Sequence, residues 1–199
     1  VDEVPHLVES EDWALDAEYA INGMRIPRLY QYDYRKVICF YYGRPKSVAT
    51  SGCGATSMSM VIAYLTGNTR QSPYTLFRWA INNQLYEGSG LTHEALLSIG
   101  ENYGVGGEWI RKDKDQVIAA LQAGKPVIAH MGYGQFTRRG HYIVLRGLTG
   151  DGRVLVNDPN SFFNSVVPFK IEDILRQTKT STPFLICDLL EDNDEPTIE

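Results

Sequence analysis

Cysteine is scarce in this chain: Cys39, Cys53 and Cys187 are an odd number, with no Cys-x-x-Cys pair among 199 residues. That excludes a disulfide framework and a zinc ribbon, and at least one thiol is left free. Long apolar runs are missing too, so stable insertion in a membrane is not expected. Positive charge is in deficit. A formal net charge of -5 and a pI near 5.4 argue against nucleic acid or an anionic membrane surface as the main partner. There is no repeat, no low-complexity linker, no Walker A motif and no metal-ligand spacing, so neither cofactor nor metal is expected. No signal-peptide pattern opens the chain, and because it begins at Val1 this says little about location.

What is present is enough apolar material, 43% of residues, for one substantial core, and one domain is expected. Residues 1–25 are acidic and weakly patterned and read as an arm on a domain spanning 26–190. Residues 191–199, from Glu191-Asp192-Asn193-Asp194 on, read as a solvated acidic tail.

The most informative stretch is Gly52-Cys53-Gly54 followed by Ala55-Thr56-Ser57-Met58. Apolar positions Ala55, Met58, Ile62 and Leu65 recur at offsets of three and four, and Gly67-Asn68 supplies a stop. Cys53 therefore opens an amphipathic helix. A thiol there meets unsatisfied N–H groups and the positive end of the helix dipole, both of which favour the thiolate. A thiolate is a nucleophile, and a His-bearing strand lies downstream. The alternative is a buried structural thiol, which is the reading for Cys39 and Cys187 in their apolar, strand-like runs.

Further helices have legible ends. Ser72-Pro73 reads as a cap followed by an N1 proline, Thr92 caps a second helix ending near Gly104, and Asp113 with Gln116 resembles a capping box for a third, stopped by Gly124. After residue 125 the pattern changes. Residues 126–131, 141–146, 153–157 and 184–187 are short, rich in β-branched side chains and separated by Gly or Pro, and Gly150-Asp151-Gly152 reads as a hairpin turn. Helices first and an antiparallel sheet after give an α+β domain.

Four histidines compete as the base. His6 lies in the arm, and His93 sits at a helix N-terminus, where the dipole disfavours imidazolium. His130 is embedded in an apolar run. His141 opens its strand after the Gly132–Gly140 loop, where a side chain can face a cleft, and it is preferred. An imidazole base needs an orienter. Asp158 is favoured because its strand is hairpin-paired to that of His141, with Asn157 as the competitor and a local turn role for Asp158 as the alternative.

These residues carry a resemblance. GCGATSMSMVIAYLTGN, then GHYIVL, then VNDPN resemble papain-like cysteine peptidases of the group containing the bacteriocin-leader (double-glycine) peptidases, and most of all their stand-alone, often exported bacterial relatives. The upstream Ile26-Pro27-Arg28-Leu29-Tyr30-Gln31 is similar to the segment that precedes the nucleophile there. The resemblance implies a papain-like α+β fold, with the Cys helix packed on a sheet carrying His and Asp. It implies Cys53 as nucleophile, His141 as base and then acid, Asp158 as orienter and Gln31 as oxyanion donor. Two features depart from the pattern: the wide gap between Gln31 and Cys53, and Ala55 where the relatives usually have Pro.

The expected function is hydrolysis of peptide bonds through a Cys53 thioester. The alternatives are a non-catalytic peptide-binding module and a cell-wall amidase or transglutaminase-like acyl transferase. The partner is a peptide or cell-wall peptide bound by a monomer, and the resemblance points to an extracellular or envelope setting. Gly52, Gly54, Tyr133, Phe136 and Gly140 are expected to line the substrate cleft, the first two by leaving room for a ligand backbone. Arg138 and Arg139 in the same loop could meet a carboxylate-bearing substrate.

Overall fold

The computed structural model describes residues 23–190, so most of the N-terminal arm and all of the acidic tail lie outside the described residues. A 3₁₀ turn, Gln31–Asp33, precedes a small hairpin of β1 (Cys39–Tyr41) and β2 (Arg44–Lys46). Helices α1 (Val48–Ser51), α2 (Cys53–Thr66), α3 (Pro73–Asn82) and α4 (His93–Asn102) follow. Strand β3 (Val105–Ile110) and helix α5 (Lys114–Gln122) lead into β4 (Val127–Met131), β5 (His141–Leu148) and β6 (Val154–Asn157). Helices α6 (Phe162–Val166) and α7 (Ile171–Arg176) connect to the last strand, β7 (Phe184–Leu189).

The helix ends follow their caps. Ser72 accepts from the Thr75 N–H and Thr92 from the Ala95 N–H, each satisfying one donor that a helix start leaves open. Asp113 accepts from Asp115 and Gln116, but its own N–H goes to the Arg111 carbonyl, so half of the expected capping box is made. Gly67 ends α2 in the left-handed conformation, at φ 69°.

Strands β3-β7-β4-β5-β6 form one five-stranded sheet, antiparallel throughout. All eight residues of β5 are buried, which requires cover on both of its faces, and both α2 and α5 pack on it. Helix α2 also packs on α3 and α4 and is itself buried along most of its length. The Cys helix is thus a core helix against the strand that His141 opens, and the architecture is α+β as the sequence implies.

Candidate active site

Cys53 owes its place to Gly52. The Gly52 N–H closes α1 on the Val48 carbonyl at 2.7 Å, and the next residue starts α2. A Cβ at Gly52 would lie 2.6 Å from the Val48 Cα and 2.7 Å from its carbonyl oxygen, so only glycine lets the two helices follow one another without a spacer. Helix α2 has no side-chain cap at this end, and its first N–H groups stay available beside the thiol. Burial by itself would push the Cys53 thiol up. The hydrogen bond and charge of His141, with the N–H groups of Tyr142 and Gly54, outweigh it and hold the thiol below its ordinary value.

His141 is buried, and its Nε2–H donates to Asp158 Oδ1 at 2.7 Å. With Nε2 engaged, Nδ1 is the nitrogen left for the sulfur of Cys53, with which the ring shares a hydrogen bond. Burial opposes charge on the ring, but the bonds to Asp158 and Cys53 prevail and raise the imidazole well above its usual range. Both shifts favour one state, thiolate beside imidazolium.

Asp158 is nearly inaccessible, at 1% exposure, and its carboxylate is fully used. Oδ1 also accepts the Asn160 N–H at 2.8 Å, and Oδ2 accepts Asn164 Nδ2–H at 2.8 Å. Ser165 Oγ takes the Asp158 N–H at 2.9 Å. A buried carboxylate with three donors has its hydrogen-bonding capacity met and is fixed in orientation. Asn157 does not compete for His141. Its Nδ2 donates to the carbonyls of Ile26 and Pro27, both at 3.2 Å, and so anchors the segment that leads to Gln31.

Gln31 is held on the same side. Its N–H donates to the Pro159 carbonyl at 2.7 Å, and its Nε2 donates to the carbonyl of Ala49, four residues before Cys53, at 3.1 Å. The side chain is therefore wedged between the Asp158 loop and the entry to α2, with a second amide hydrogen uncommitted. Tyr30 and Tyr32 stack on each other beside it, and Phe162 leans on Tyr30.

The family model for the Peptidase_C39 like family matches residues 24–179. The chain belongs to the Peptidase_C39 like family. Among solved structures it is similar to the peptidase domain of Streptococcus ComA, a bi-functional ABC transporter involved in a quorum-sensing pathway. The identity is 17%, covering 71% of this chain and 93% of that one, with a TM-score of 0.54. It is also similar to a double-glycine motif protease from an AMS/PCAT transporter, solved in complex with the leader peptide, at 22% identity over 79% of this chain and 94% of that one, TM-score 0.46. A third likeness is to the N-terminal peptidase C39 like domain of the toxin secretion ATP-binding protein from Vibrio parahaemolyticus, at 18% identity over 70% and 98%, TM-score 0.47. No curated protein matches. The fold of this Peptidase_C39-like chain is that of papain-like cysteine peptidases.

Two expectations for the cleft need correction within this Peptidase_C39-like fold. Phe136 is buried in the core against Phe169, ring centroids 4.9 Å apart, because the loop folds back onto the sheet end. The space beside Gly52 and Gly54 is filled by the protein itself. A Cβ at Gly54 would touch Leu96 at 3.1 Å and Tyr142 at 3.3 Å, so these glycines serve close packing and present only backbone to a ligand. Tyr133 is 81% exposed at the loop tip, and Gly140 is half-buried beside Lys179.

Of the other thiols, burial pushes Cys187 up to about 12, and Cys39 is half-buried and also raised by burial, with Lys46 pulling the other way. Sequence reasoning missed Asn164 and Ser165. Their only signal is a polar pair following Asn-Asp-Pro-Asn, and their roles appear once α6 folds back under Asp158. It also missed a histidine pair: His93 Nε2 lies 2.8 Å from His130 Nδ1.

Proposed function

We propose that this Peptidase_C39-like chain is an active cysteine peptidase that hydrolyses peptide bonds through a thioester on Cys53. The observation that carries the reading is the hydrogen-bonded series of buried Asp158, buried His141 and half-buried Cys53, with both titrations displaced toward the ion pair.

In this reading the Cys53 thiolate adds to the scissile carbonyl carbon. The oxyanion that forms is met by the Cys53 N–H at the start of α2 and by the uncommitted Gln31 amide hydrogen, each such donor lowering the barrier by roughly 2–4 kcal/mol. The His141 imidazolium gives its Nδ1 proton to the departing amine, leaving an acyl thioester. His141, now neutral, takes a proton from water as that water attacks the thioester and keeps it as the acid product leaves, so that the Cys53 thiolate is released beside the imidazolium. Asp158 keeps Nε2 protonated, so Nδ1 is always the nitrogen that trades the proton.

The substrate is a peptide or a cell-wall peptide outside a bacterial cell or at its envelope. The test is cleavage of a peptide mixture by the wild-type chain and by Cys53→Ala. Turnover lost in a variant that still melts cooperatively supports the reading. Equal cleavage by both overturns it, and peptides bound but never cut by the wild type point instead to a binding module.

A further inference from the structure

Across β5 from Asp158 lies a second set of titratable side chains. His130 on β4 pairs with Tyr142 on β5, the residue after His141, and their rings stack with centroids 4.4 Å apart. His93, at the start of α4, meets His130 through the 2.8 Å contact of the two ring nitrogens and is itself stacked flat on Trp109 at 3.7 Å. Tyr142 Oη donates to the Leu91 carbonyl at 2.9 Å, which ties this corner to the chain leading into α4.

The fourth member is Lys179. Its N–H donates to the His130 carbonyl at 3.0 Å, beside the bridge between Met131 and Thr178. A Cβ placed on Gly140 would lie 2.7 Å from Lys179 Nζ and 3.6 Å from His130 Nε2. Both nitrogens therefore converge on the backbone of the residue immediately before His141.

Charge at this corner is of one sign. Burial first, then the basic neighbours His93, Lys179 and His141, hold His130 well down, to about 4. It is neutral at ordinary pH, and no carboxylate figures among the groups acting on it. Glu94 and Glu108, next in sequence to His93 and Trp109, are exposed. Among the described residues no carboxylate forms an ion pair with Lys179, nor with Arg138 or Arg139 of the adjoining loop.

The proton arithmetic of the pair gives it a definite face. A neutral His–His hydrogen bond uses one proton, and the second sits on whichever outer nitrogen is left. When His93 Nε2–H donates to His130 Nδ1, His130 Nε2 carries the other proton and presents a donor toward Gly140. An anion beside Lys179 selects that arrangement. We infer that His130, His93 and Lys179 form a recognition subsite for a carboxylate side chain, so that the substrate carries Asp or Glu close to the scissile bond, on the side of Cys53 away from Asp158 and Gln31. Lys179 supplies the charge, His130 Nε2–H the directed hydrogen bond, and Trp109 fixes the plane of the pair.

This inference rests on the peptidase reading above, and one experiment separates the two. A proteome-derived peptide library is digested with the wild-type chain, and the residues flanking every cut are read by mass spectrometry. The expected result is enrichment of Asp and Glu over Asn and Gln by about tenfold at one position, the size of one charge-assisted hydrogen bond. That ratio falls toward one in Lys179→Met and in His130→Phe and is kept in Lys179→Arg. Thermal melting reports whether each variant is folded, and Lys179, an exposed side chain, keeps the test decisive should His130→Phe fail to fold. Cuts with no acidic preference overturn the subsite and leave the peptidase standing. No cuts at all, with Cys53 still open to alkylation, overturn the peptidase reading and the subsite with it.

Discussion

Asn164 donates its Nδ2–H to Oδ2 of Asp158 at 2.8 Å, so the carboxylate that faces His141 is held from behind by a five-residue helix. Asn160 holds the other oxygen through its backbone, and Ser165 holds the Asp158 N–H. The orientation of His141 is therefore set by a layer of residues that need not touch a substrate.

Removing that support should impair the chemistry more than binding. Asn164→Ala leaves a buried carboxylate oxygen without its donor, at a cost of about 1–3 kcal/mol in stability. Steady-state kinetics should show kcat down about tenfold, equivalent to about 1.4 kcal/mol of barrier, with KM little changed. A rise in KM at constant kcat would place Asn164 in substrate binding instead.

Gln31 offers a way to separate the oxyanion from the thiolate. Alkylation of a thiolate forms no oxyanion, whereas peptide hydrolysis does. Gln31→Ala should slow peptide cleavage by about a hundredfold, in line with the roughly 2–4 kcal/mol that one such donor supplies. It should leave the rate of Cys53 alkylation by iodoacetamide within about twofold, a factor worth only about 0.4 kcal/mol. If both rates fall together, Gln31 acts on the fold of the Cys53 entry through its bond to Ala49.

The ion pair also predicts how stability depends on pH. Cys53 is lowered on folding, so its contribution is full above the unfolded thiol value of about 8.5 and is lost as pH falls through its folded value. His141 is raised, so its contribution is full below the unfolded value of about 6.5 and is lost as pH rises through its folded value. Between about 6.5 and 8.5 the two slopes cancel, because thiolate plus imidazolium carries as many protons as thiol plus imidazole. Denaturant unfolding at a series of pH values should therefore show wild-type stability flat in that window, whereas Cys53→Ala, which keeps His141 bonded to Asp158, loses stability as pH rises through it, so that the difference between the two grows with pH. A wild type that slopes as the variant does would mean that folding does not deprotonate the thiol.

Much of the fold is legible in the sequence where a local rule governs it. Ser72, Thr92 and Asp113 cap helices because a short polar side chain next to an open N–H acts within a few residues. The β-branched runs after residue 125 become β4, β5, β6 and β7 for a similar reason. Strand β3 escapes notice because Gly106 and Gly107 dilute its pattern, and its reason for being extended is β7, about 80 residues away. The β1–β2 hairpin is hidden because Tyr42, at φ 48°, stands where Asn or Gly would announce the turn.

The site divides along the same line. Cys53 and His141 are legible because a helix start and a strand start are local features. Asp158 follows from hairpin pairing, since Val144 faces Asn157 across the β5–β6 ladder and the next residue is brought alongside the start of β5. The pair His93 and His130 joins a helix to a strand 37 residues on, and nothing local to either announces it. Phe136 was expected in the cleft on chain proximity to His141, but the apolar cost of leaving a phenyl ring in water turns it into the core.

The central claim is that Cys53 rests as a thiolate paired with protonated His141. Its most direct test is the alkylation rate of each cysteine as a function of pH, with Cys53 resolved from Cys39 and Cys187 by peptide mapping. The account predicts that Cys53 alone reacts rapidly well below the free-thiol value of about 8.5, and that His141→Ala abolishes this advantage. Cys53 titrating as an ordinary thiol, or reacting as fast at low pH without His141, would contradict it.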